Sequence, residues 1–122
     1  TYQKNEIAGS SENKTSAGDF QWVQADTSLQ WKFFRNTLKL LQKRNNKILV
    51  LIGPFNEHML SGENMENYHK LKTEIENWFK LNNISYFSPT LLPAELYNDA
   101  SHPTSQGYEI LAKELLESKT LN

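Results

Sequence analysis

The chain of 122 residues contains no cysteine. That excludes disulfides, thiolate zinc sites and a cysteine nucleophile, but it does not indicate a compartment. Long apolar runs are also missing. The longest, Ile48 to Ile52, is far too short to span a bilayer, so no membrane span is expected. Charge of one sign is not in excess: 13 Lys and Arg face 14 Asp and Glu, for a net charge of −1. This is not the basic footprint of a nucleic-acid binder. There is no Gly-rich phosphate loop, no internal repeat and no low-complexity segment. No signal peptide is visible and the sequence begins with Thr1, as expected of a processed product or a cut piece. Apolar residues are scarce in one place. Residues 1–18 hold only Tyr2, Ile7, Ala8 and Ala17, too few to offset the entropy of ordering, and read as a flexible tail or linker.

Residues 19–122 read as one α/β domain. Asp26, Thr27 or Ser28 can cap a first helix over about 28–44, with Trp31, Phe34, Leu38 and Leu41 as its apolar stripe. Residues 47–52 follow as a strand apolar on both faces, typical of a central parallel strand covered by helices. Gly53-Pro54 stops it. A second helix is expected over about 65–81, with Tyr68, Leu71, Ile75, Trp78 and Phe79 inward, and Asn82-Asn83 breaks it. Residues 84–87 form a second short strand. A third helix is expected over about 104–118, with Tyr108, Leu111, Ala112 and Leu115 inward. Helices alternating with strands predict a parallel sheet with right-handed crossovers. Two strands alone are marginal, so the pattern looks like part of a larger sheet.

Active sites of open α/β sheets lie beyond the carboxyl ends of the strands. Two loops qualify: Gly53 to His58, and Ser88 to Pro103. In the second, Asp99 and His102 are spaced so that the carboxylate can reach the imidazole Nδ1. The Asp would hold the tautomer and stabilise the imidazolium, leaving Nε2 as a general base. The bland alternative is that Asp99 caps a turn and His102 is a surface residue before Pro103. His58 and His69, with Glu57, Glu63 and Glu66, lack metal-site spacing and read as solvated side chains, so no metal is assigned. Trp31 and Trp78 fall on core stripes, whereas Phe20 and Trp22 have no periodic explanation and are candidates to cover a sheet edge or line a groove. Asn13 and Asn83 open glycosylation patterns, which matter only in a eukaryotic secretory setting.

The stretch from Asp99-Ala-Ser-His102-Pro103 through Gly107-Tyr108-Glu-Ile-Leu111-Ala112 resembles the last sequence block of the SGNH (GDSL-type) hydrolase family. There, the Asp and His of a catalytic triad precede a Gly-Tyr-x-x-Leu-Ala helix. Thr27 to Leu121 is similar in order and spacing to the C-terminal half of that family. The resemblance implies a partial flavodoxin-like three-layer α/β/α fold, with Asp99 and His102 as catalytic residues and no cofactor. It further implies an ester-bearing substrate, a lipid or an O-acylated carbohydrate. The family's Gly-Asp-Ser nucleophile block and its two oxyanion blocks are not found. Ser10 lacks the preceding strand and Asp and is a poor substitute. Gly53-Pro-Phe-Asn56-Glu57 partly resembles the Gly-x-Asn-Asp block, but its place in the chain makes Asn56 a candidate substrate-binding residue rather than an oxyanion donor. Two function classes follow. One is the C-terminal portion of a serine ester hydrolase or acyl transferase, inactive alone and partnered by an upstream half of the same protein or a second copy. The other is a noncatalytic interaction or structural domain on the same framework.

Overall fold

The structure is a computed structural model and describes residues 20–118. The expected tail at 1–18, Ser10 and Asn13 lie outside the described residues. Helix α1 (Leu29–Lys43) begins at Ser28, whose Oγ accepts the Trp31 N–H at 3.2 Å. Of the three candidate caps, Thr27 instead hydrogen-bonds back to Gln24 O. The helix ends because Asn45 adopts a left-handed φ of 59°. Asn46 N–H then returns to Leu41 O and Asn45 N–H to Gln42 O, satisfying carbonyls the last turn would leave open. Helix α2 (Gly62–Leu81) closes in the same way at Asn83, φ 54°, with Ile84 N–H on Phe79 O and Asn83 N–H on Lys80 O. It starts three residues earlier than expected. Its first residues, Gly62 and Glu63, are exposed, and apolar periodicity cannot register a turn that buries nothing.

Strands β1 (Leu49–Leu51) and β2 (Ser85–Phe87) pair in parallel, Leu49 opposite Ser85 and Leu51 opposite Phe87. Ile52 N–H extends the ladder to Phe87 O at 2.9 Å. Both strands are shorter than the apolar runs. At β2 the reason is visible: Ile84 spends its N–H on the end of α2 and cannot give it to the ladder. The described residues thus form a mixed α/β fold with three α-helices and a two-stranded parallel sheet.

One buried cluster lies on one face of that sheet, and Phe87, the register partner of Leu51, is buried on the other. Leu38 of α1, Phe79 of α2 and Ile84 are buried together, with Ile48, Val50, Ile52 and Tyr86 packed on them. Leu49 and Leu51 alternate to the other face. Leu51 is 53% exposed there, against the expectation of a strand covered on both sides. Helix α3 (Ser105–Glu117) also turns differently from its apolar pattern. Leu111 is buried and Leu115 half-buried, but Tyr108 and Ala112 are exposed. The cause is Gly107. A Cβ there would sit 2.8 Å from Leu96 O and 3.0 Å from Leu92 Cδ1 and Pro103 Cβ, so the helix seats on its glycine. On α1, Phe34 is likewise more exposed than its stripe predicts.

Candidate active site

The loop after β2 is built from backbone hydrogen bonds. Residues Ala94–Leu96 make a single 3₁₀ turn, and Tyr97 and Pro103 then meet in an antiparallel bridge. Asn98 N–H donates to His102 O at 2.7 Å and Thr104 N–H to Leu96 O at 2.8 Å, closing the neck of a five-residue loop, 98–102. Thr104 Oγ1 accepts the Gly107 N–H and starts α3 immediately behind it. Inside the loop, Asp99 Oδ1 accepts the N–H of Ser101 and of His102, each at 2.9 Å. The turn-capping role considered for Asp99 is therefore present.

The same carboxylate meets the imidazole: both Asp99 oxygens lie 2.8 Å from His102 Nδ1. Because the carboxylate only accepts, Nδ1 carries the proton and the neutral ring keeps its lone pair on Nε2. No hydrogen bond to Nε2 is formed among the described residues. Ser101 Oγ approaches the ring at 3.3 Å, but at Nδ1, the nitrogen Asp99 already occupies. The His102 and Asp99 side chains are 67% and 56% exposed. The Asp99 carboxyl is held below its ordinary range, first by the Ser101 N–H and then by the His102 side chain. The pair can take up a proton at Nε2 and stabilise the imidazolium. It does not itself hold a nucleophile.

The two strand-end loops are joined. Asn56 N–H donates to Ala100 O at 2.8 Å, and His58 Nε2 donates to Leu92 O at 2.8 Å. Asn56 is buried against the dyad loop, and its Oδ1 has no hydrogen-bond partner among the described residues. Periodicity offered no signal for these bridges, since one runs between main-chain atoms and the other uses a main-chain acceptor. His69 Nε2 lies 3.2 Å from Glu57 Oε1, so the two histidines weighed as metal ligands serve separate partners. Among the described residues no three His, Asp or Glu side chains converge as a metal site. Beside Glu57, Tyr68 is pushed up to about 12, by burial first and then by the Glu57 charge. Trp22 packs on Phe55 and Tyr68 with ring centroids 5.3 Å apart and donates its indole N–H to Asn64 Oδ1. It pins the segment before α1 across the start of α2. These rings and Ile52 border an apolar cavity of about 220 Å³.

No family model, curated protein or solved structure matches this chain.

Proposed function

We propose that this chain is the C-terminal part of an SGNH-type serine ester hydrolase or acyl transferase. Asp99 and His102 are two members of its triad, and the nucleophile comes from an upstream segment of the same protein. The observation that carries this reading is the Asp99–His102 pair, bonded at Nδ1 with Nε2 open to incoming groups. Its setting supports it, because both loops that frame the pair follow the carboxyl ends of parallel strands.

The sheet supports a partial flavodoxin-like three-layer fold. Both α1 and α2 pack on one face. Among the described residues strand β1 pairs on one side only, which leaves an edge for upstream strands. In the complete site a serine hydroxyl attacks an ester carbonyl and passes its proton to His102 Nε2. Collapse of the tetrahedral intermediate returns that proton to the leaving alkoxide and leaves an acyl-enzyme. Water, or an acceptor alcohol in a transferase, then attacks the acyl-enzyme with His102 again as base. Asp99 stays ionised and holds the ring throughout. Asn56, joined to the dyad loop, belongs to the substrate side. The substrate class is an ester, on a lipid or an O-acylated carbohydrate.

The dyad alone provides general-base assistance of about 10²–10⁴-fold at most, so this chain should show little turnover of a short-chain aryl ester. A serine-reactive fluorophosphonate tests the reading. The 122 residues alone should remain unlabelled, and a longer natural protein containing them should label stoichiometrically, with labelling lost in His102→Ala. A longer protein that never labels would assign the pair to the turn-capping role its two backbone hydrogen bonds already fill.

A further inference from the structure

We propose that the outer face of α1 docks on an anionic phospholipid bilayer surface. At about 100° per residue, Leu29, Phe33 and Leu40 fall within about 40° of arc. That arc is centred about 160° from Leu38, the helix's buried residue. All three are exposed, Phe33 by 63%. An amphipathic helix normally places polar residues there. Because this stripe points away from the sheet, strands added at the open edge of β1 would not cover it. The inference is therefore independent of the proposed hydrolase function.

Charge identifies the occupant. From residue 27 to residue 56 there are six basic residues, Lys32, Arg35, Lys39, Lys43, Arg44 and Lys47, and no acidic one. The rest of the chain carries all 14 acidic residues. None of the six forms an ion pair among the described residues. Arg35 lies over the Trp31 and Trp78 rings, whereas Lys32, Lys43, Arg44 and Lys47 are exposed. Lys32 and Lys43 fall on one side of the apolar stripe and Arg44 on the other.

A short apolar stripe flanked by basic residues is the pattern of a helix lying in a membrane interface, with its apolar side chains in the acyl boundary and its cations on the headgroups. A nucleic acid would use the cations but has no use for Leu and Phe between them. A protein partner would need a broader patch, of about 800 Å², than three side chains along about 16 Å of helix supply. Among the described residues no helix is long and apolar enough to cross a membrane, and the proposed contact is a peripheral one.

Co-sedimentation of the full chain with vesicles tests this. Binding to vesicles of equal parts phosphatidylserine and phosphatidylcholine should exceed binding to phosphatidylcholine alone by at least about tenfold, and should weaken with salt. Phe33→Ser with Leu40→Ser should weaken it about tenfold. Lys32→Gln with Lys43→Gln should weaken it about twentyfold. Lys113→Gln on α3 should leave it unchanged. All these positions are exposed, so circular dichroism should show unaltered folding. Failure to bind the anionic vesicles, or equal binding to neutral ones, overturns the proposal. So does a loss confined to the lysine variants, which would make the face a charge patch for an acidic protein.

Discussion

On the face of the sheet that meets α1 and α2, Phe79 is 1% exposed, and Leu38 and Ile84 are buried beside it. On the opposite face Phe87 is buried but its register partner Leu51 stands 53% exposed, although β1 is as apolar on that side as on the other. The same strand therefore has two energetic histories. Ile48, Val50 and Ile52 are stabilised within this chain. Leu51 has yet to gain most of what burial of a leucine offers, about 1.5–3 kcal/mol when complete. The contrast separates the part of the molecule that supports itself from the part that presents surface. The dyad loop belongs to the second part but is held by the first, through the Asn56–Ala100 and His58–Leu92 hydrogen bonds.

The largest test of this contrast is Phe79→Ala. It should cost about 3–5 kcal/mol, enough to unfold most of a small domain, and urea denaturation measures it. Leu51→Ala, the matching truncation on the open face, should stay within about 0.5 kcal/mol. A large loss at Leu51 would mean that the open face is covered in solution. Gly107→Ala comes next. Its Cβ would press into the Leu96 carbonyl, at about 1–3 kcal/mol, against about 1 kcal/mol returned by better helix propensity. A net loss is expected in the thermal midpoint, with faster hydrogen exchange in α3 than in α2.

The smallest effect is the titration of Asp99. Its folded pKa is depressed, so the stabilisation it lends the loop is complete above the ordinary carboxylate value and is lost as pH falls through the folded value. A carbon-detected NMR titration should place the Asp99 midpoint below 3.8. The Ser101 and His102 amide shifts should follow it. A midpoint at or above 3.8 would remove the two N–H donors from the loop's account.

Some elements were legible because their causes are local. Asn45 and Asn83 end their helices by adopting left-handed backbone that asparagine tolerates, and the Asn82-Asn83 pair reads as a stop in the sequence. Asp99 and His102 are three residues apart, within reach of one tight loop. By contrast, Trp22 had no periodicity to explain it, and its place between Phe55 and Tyr68 depends on residues more than 30 positions away. Tyr108 departs from its apolar stripe because periodicity gives no weight to a glycine, and Gly107 makes the close contact.

What the amino-acid order determined by itself is therefore the set of short-range interactions: the Ser28 and Thr104 caps, the helix ends and the reach of Asp99 to His102. Each needs only a few neighbouring residues to form. Tertiary structure alone decided which apolar residues are buried. Ile52 and Leu51 are adjacent and equally apolar, yet one packs on the core and the other faces outward. Their difference arises from strand alternation against two helices that occupy a single face, and burial is a sum over residues distant in the chain.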